Sequence, residues 1–100
     1  MDLSIVVPVY NEVDSLPILY EEIVRALSPQ PGLNWEIVLV DDGSTDGSDA
    51  VLGELLRQDE RVVVATQRRN FGKSLALGAG FRLAAGEVIV TMDGDLQDEP

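Results

Sequence analysis

The sequence predicts an α/β fold, a parallel sheet covered by helices on both faces. Three observations carry this: short apolar runs rich in β-branched residues, intervening segments with helical periodicity, and a polar cluster after nearly every run. With 100 residues, 45% hydrophobic and 25% charged, the composition is that of one soluble globular domain. No internal repeat or low-complexity linker interrupts it.

Leu3 to Val9 is a continuous apolar run closed by Tyr10-Asn11 and reads as a buried strand. From Ser15 the pattern changes, because Leu16, Leu19, Tyr20, Ile23, Val24 and Leu27 recur at three and four. Ser15 or Asp14 is placed to cap that helix, and Ser28-Pro29-Gln30-Pro31-Gly32 ends it. Trp35 to Val40 is the second strand, followed by a polar loop, Asp41 to Gly47, whose two glycines can take positive φ. Ser48 is placed to cap a second helix with Val51, Leu52, Leu55 and Leu56 inward. Arg61 to Thr66 is the third strand, and Lys73 to Ala85 a third helix whose Ala and Gly suit close packing on a sheet. Gly86 is expected to end it. Glu87 to Met92 is the fourth strand. Right-handed crossovers then put all four polar clusters on the carboxyl rim, where such sheets bind ligands.

The composition excludes much chemistry. Without His or Cys there is no Ser-His-Asp triad, thiolate nucleophile, zinc finger or disulfide. A net charge of -11 argues against nucleic acid as a partner, so any bound phosphate needs local help. Arg68, Arg69, Lys73 and Arg82 offer it within one stretch, and a bound cation is the other source. No apolar run spans a bilayer and Met1-Asp2 lacks the basic start of a signal peptide, so the expected location is cytoplasmic or cytoplasm-facing.

Each cluster has a plain and a chemical reading. Pro8 to Glu12 is a strand end, or a site where the Tyr10 ring flanks a base while Glu12 meets a sugar hydroxyl. Asp41-Asp42-Gly43 is a turn, or a carboxylate accepting hydrogen bonds from a base or ribose. Arg68 to Lys73 is a solvated loop, or an anion site at a helix N-terminus. Asp93-Gly94-Asp95 is a turn, or two carboxylates converging on a divalent cation with Gln97 continuing the spacing as a neutral oxygen ligand. Gly72-Lys73-Ser74 is not a P-loop, because the first glycine of that motif would fall at Gln67.

Taken together and in order, Ser4 to Glu12, Val40 to Asp46, Arg69 to Lys73 and Met92 to Asp98 resemble the inverting glycosyltransferase family 2. Members have the Rossmann-like GT-A fold, and the D-x-D-x-Q run is similar to its metal-binding DXD motif. Asn70 to Lys73 with Asp93 to Asp98 looks most like the branch that makes dolichol- or undecaprenyl-phosphate mannose and glucose. Glu99-Pro100 stands where that branch often has two prolines.

The resemblance implies that Pro8, Tyr10, Glu12 and Asp41 line base and ribose, with Asp42 a neighbour. It places Arg69 and Lys73 towards the diphosphate, and Asp93, Asp95 and Gln97 on Mg2+ or Mn2+, through which Asp95 supports leaving-group departure. The implied reaction is inverting transfer of a hexose from a UDP- or GDP-linked donor to a polyprenyl phosphate. Residues 1–100 would be the donor-binding part of a longer, membrane-associated protein, truncated on its carboxyl side. The rival readings are a non-catalytic nucleotide-sugar-binding fragment and a haloacid-dehalogenase-type phosphatase. A donor crevice between strands one and four implies the sheet order 3-2-1-4. Strand four is then an uncovered edge, which favours marginal stability and a homo-oligomer. Replacing Asp95 is expected to weaken nucleotide binding far more than replacing Asp59, at the far end of the second helix.

Overall fold

The structure, a computed structural model, describes residues 1–67 and 72–92, without the side chains of Lys73 and Ser74. In order the elements are β1 (Leu3–Val9), α1 (Leu16–Leu27), β2 (Trp35–Asp42), α2 (Ser48–Gln58), β3 (Val62–Gln67), α3 (Lys73–Leu83) and β4 (Val88–Thr91). The strands form one parallel sheet in the order β3-β2-β1-β4, as the crevice argument requires. Leu3 pairs with Trp35 and Val88, and Ile37 with Val62, so the amino-terminal ends of all four strands share one edge of the molecule.

The sheet is buried on two sides by different chemistry. Odd-numbered residues of β1 and β2, from Ile5 to Leu39, pack with Leu16, Leu19 and Ile23 of α1 and Leu52 and Leu55 of α2. Even-numbered Val6, Val38 and Val40 face α3 through Ala76. The helix lies close because it presents little: a Cβ added at Gly80 would run into Val6 Cγ1. The small residues read as a packing face are therefore one.

Helix ends depart from the expectations, each for a local reason. Ser15 holds the cap position of α1, as one of the two expected residues, but its side chain makes no capping bond; Glu12 C=O accepts from the N–H groups of Ser15 and Leu16, and Pro17 lies in the first turn, where a missing N–H costs nothing. Ser48 is not the cap of α2 but its first residue, following Gly47 at φ 94. Asp46 Oδ1 instead accepts from both the N–H and the hydroxyl of Ser48. Leu56 is 48% exposed rather than inward, since one residue past Leu55 turns it about 100° away from the sheet.

Gly86 does not end α3, which stops at Leu83 with Ala84 already extended. Its role is close approach: a Cβ there would lie 2.6 Å from the Ser4 backbone N. Gly86 N–H donates to Ser4 Oγ (2.8 Å), Ser4 Oγ donates to Glu36 Oε2 (2.5 Å), and Ala85 N–H donates to the same carboxylate oxygen (2.7 Å). This buried cluster fixes the α3–β4 junction. Strand β4 is the uncovered edge that the sheet order implies, with Val88, Ile89 and Val90 57%, 39% and 42% exposed.

Asp59 is not a neutral far-end acid either. It is buried and receives the Tyr20 hydroxyl (2.6 Å) and two guanidinium nitrogens of Arg61 (2.9 and 3.0 Å). Arg61 in turn stacks 3.9 Å over the Trp35 ring. Together these residues tie α1, the end of α2 and the starts of β2 and β3.

Candidate functional site

The carboxyl ends of β1 and β2 bring the first two polar clusters together. Pro8 is buried inside β1 beside Val40, and Tyr10, just past the strand, is 43% exposed. Glu12 folds back so that its Oε1 accepts from Tyr10 N–H (2.9 Å). Asn11 between them holds φ 51, a left-handed conformation that Asn tolerates better than most residues.

Asp41 and Asp42 extend β2 two residues beyond its expected end, and both are buried. Alternation along the strand sends them to opposite faces. Asp41 Oδ1 accepts from Ser44 N–H (3.0 Å), closing the turn. Asp42 faces β3 and α3, accepting from the Gln67 side-chain amide (2.6 Å) and from Gly72 N–H (3.0 Å). Asp42 thus links the second cluster to the start of the helix that carries Lys73.

The two loops are joined side chain to backbone. Four consecutive N–H groups, Tyr10 to Val13, donate to side-chain oxygens: Glu12 Oε1, Ser44 Oγ (2.9 Å), Ser48 Oγ (3.2 Å) and Asp46 Oδ2 (3.1 Å). In the other direction Thr45 N–H donates to Asn11 Oδ1 (2.7 Å). The Ser48 hydroxyl, followed by the Val13 and then the Ser48 N–H, holds the Asp46 carboxyl below its ordinary range.

Of the expected site residues, the structure therefore brings Pro8, Tyr10, Glu12, Asp41 and Asp42 to one rim. Lys73 opens α3 there, after Gly72. Arg69, Asp93, Asp95 and Gln97 lie outside the described residues. The strand before the acidic pair is parallel to β1, with Met92 N–H on Val6 C=O (3.0 Å), so β4 is directed at this same rim. Among the described residues no group of three His, Cys, Asp or Glu could hold a metal.

The sequence reading assigned no site role to Asn11, Ser44, Asp46 or Gln67, and gave Ser48 only the cap of α2. An Asp two residues before a Ser at a helix start was the available signal for the Asp46–Ser48 bond. A separate concavity of about 560 Å³ lies at the opposite, amino-terminal end of the strands, lined by Met1, Asn34, Trp35, Glu36 and Arg61 among others. It holds none of the expected residues, and parallel sheets seldom bind ligands there.

The glycosyl transferase family 2 profile matches residues 4–100. The chain is 46% identical over 100 residues to the undecaprenyl-phosphate 4-deoxy-4-formamido-L-arabinose transferase of Pectobacterium carotovorum, covering 99% of this chain and 30% of that protein. To the protein of the same name from Pseudomonas fluorescens it is 43% identical over 99 residues, covering 98% and 29%. Among solved structures, S. aureus TarS 1-349 in complex with UDP-GlcNAc superposes with a TM-score of 0.76 at 26% identity, covering 95% of this chain and 27% of that one. The mannosyltransferase PcManGT from Pyrobaculum calidifontis, in complex with GDP-Man and Mn2+, gives 0.75 at 28% identity, covering 93% and 27%. The chain spans about 30% of the length of the curated relatives it matches.

Proposed function

The chain belongs to glycosyl transferase family 2, and on that footing we propose that it is the donor-binding part of an inverting enzyme that moves a sugar from a nucleoside-diphosphate donor to a polyprenyl phosphate. The observation that carries the proposal is the joined rim itself: a tyrosine, a glutamate and two buried aspartates gathered at the carboxyl ends of β1 and β2. Family membership replaces the phosphatase reading. The acceptor is proposed from the relatives named undecaprenyl-phosphate transferases. Those relatives are named for an L-arabinose derivative, which widens the donor class beyond the expected hexose to substituted pentoses. Solved neighbours carrying UDP-GlcNAc and GDP-Man support a UDP- or GDP-linked donor.

In this reading Tyr10 flanks the base, Pro8 supports that surface from within β1, and Asp41 accepts from base or ribose. Glu12 meets a ribose hydroxyl. Asp42 holds the start of α3, where Arg69 and Lys73 offset diphosphate charge. The donor set Asp93, Asp95 and Gln97 consists of hard oxygens, the kind Mg2+ and Mn2+ take, and β4 is directed at the rim where those ions would be needed. When bound, the cation supplies charge neutralisation for the departing diphosphate. An oxygen of the lipid phosphate attacks the anomeric carbon, the bond to the diphosphate oxygen breaks, and configuration inverts. That nucleophile is already largely ionised, with a second pKa of about 6, so a chain without His is not at a disadvantage.

No helix among the described residues is long and apolar enough to cross a membrane. The lipid acceptor places the proposed reaction at a cytoplasmic membrane surface. Calorimetric titration of UDP and GDP with Mn2+, Mg2+ or chelator provides the test, on the parent, Asp95→Asn and the exposed-surface control Glu21→Gln. Binding that needs the cation and falls at least tenfold in Asp95→Asn alone is expected, because Asn removes a charged oxygen from the ion. Equal affinity in chelator and in Mn2+ would sink the metal assignment. Transfer assays with polyprenyl phosphate then separate an enzyme from a binding fragment.

A further inference from the structure

We infer that Asp46, with Ser44, Ser48 and Asn11, is a positioning device that makes the β1–α1 and β2–α2 loops one preformed unit, so that the residues reading base and ribose are set before any nucleotide arrives. The inference rests on the donor-site reading above and names residues that reading leaves without a task.

The bond pattern carries the argument. Asn11, Glu12 and Val13 donate their N–H groups to Ser44 Oγ, Ser48 Oγ and Asp46 Oδ2, all beyond β2. Such a run of N–H groups pointing one way is an anion-binding concavity unless it is filled from within. Here the Asp46 carboxylate fills part of it, while its other oxygen takes the N–H and hydroxyl of Ser48. Each oxygen therefore serves a different loop. Asn11 returns the connection, its side-chain oxygen accepting Thr45 N–H from a backbone at φ 51. Tyr10 and Glu12 on one side, and Asp41 through Ser44 on the other, are all within one residue of a bond that crosses between the loops or share one. Preorganisation of this kind lowers the ordering cost of binding.

Asp46 is itself exposed, which allows a test that does not break the core. In Asp46→Asn the shape is kept, but one carboxylate oxygen becomes an amide that opposes a donor, either Val13 N–H or Ser48. Ser44→Ala removes the acceptor of Asn11 N–H. Calorimetry with UDP and GDP in Mn2+, thermal melting and amide hydrogen exchange are to be measured on the full chain and both variants. Nucleotide affinity is expected to fall roughly tenfold in Asp46→Asn, in line with leaving a donor opposed. The melting midpoint should fall by no more than several degrees, and protection should be lost at the Asn11, Glu12 and Val13 amides with the β1 and β2 amides unchanged. A lower melting point with unchanged affinity of the folded protein would make the bonds structural only and overturn the inference. Should the parent bind neither nucleotide, the donor-site reading fails, and with it the role in positioning. Exchange then still reports whether the loops are coupled: intact protection in Asp46→Asn would refute the clasp on its own terms.

Discussion

Single carboxylates on this chain do different work according to what meets their oxygens. Asp41 and Asp42 are adjacent, yet one closes its own turn while the other reaches Gln67 and Gly72. Asp42→Asn is accordingly expected to disturb the start of α3 as well as nucleotide affinity, and Asp41→Asn mainly the latter; hydrogen exchange at Gly72 and calorimetry with UDP and GDP distinguish them. Asp59 shows how charge couples to stability. Its bonds from Arg61 bring its carboxyl down to about 2, outweighing burial. A depressed value contributes stability that is complete above the ordinary 3.8 and lost as pH falls through about 2. Tyr20 works the other way: burial, then its bond to Asp59, pushes it up to about 12, so its share is complete below 10.0 and lost as pH rises through about 12. Urea unfolding of Asp59→Asn should show a loss of about 1–3 kcal/mol at neutral pH, shrinking between pH 4 and 2. A loss independent of pH in that window would contradict the assignment. The acids of the rim were legible because they follow apolar runs. Asp59 and Asp46 were legible only in part: Arg61 and Ser48 lie two residues on, but Tyr20 and Val13 lie far off in sequence and only the fold brings them near.

At the level of elements, periodicity was the dependable signal. The six apolar residues read onto the inner face of α1 all join the core, and the parallel direction of the strands followed from their alternation with helices, their order from the expected donor crevice. Helix ends were misread because capping depends on which oxygen is nearest in space, as Asp46 and Ser48 illustrate. Glycine in α3 was legible as a packing device but Gly86 was not, because its neighbour is Ser4, more than eighty residues earlier. Gly80→Ala is expected to cost about 1–3 kcal/mol by overpacking against Val6. In a Val6→Ala background the same change should cost clearly less, since the obstructing methyl is gone. Additive losses in urea denaturation would place the strain elsewhere.

Across the whole molecule, two features oppose each other: a net charge of -11 keeps copies apart, while β4 offers apolar side chains and a strand edge. Salt screens the first and not the second. Raising NaCl should therefore increase both the melting temperature and self-association in sedimentation velocity, and Val90→Lys should suppress the association at every salt concentration. Identical sedimentation of parent and Val90→Lys would show that β4 is not the contact. The overall architecture was visible in the sequence because short β-branched apolar runs alternate with segments of helical periodicity, the pattern of a helix-covered parallel sheet. The exposure of β4 was foreseeable only from the sheet order, never from its own residues, which read as buried. That same order has a consequence for synthesis. Of the four described strands, the earliest translated is an interior one, flanked by β2 and by β4, whose Val88 sits opposite Leu3. At about 5–20 residues per second, β1 waits roughly 4–17 s for its second neighbour, a long interval for a strand this apolar. The nascent chain is thus a natural client for a chaperone that shields β1 until translation has delivered β4.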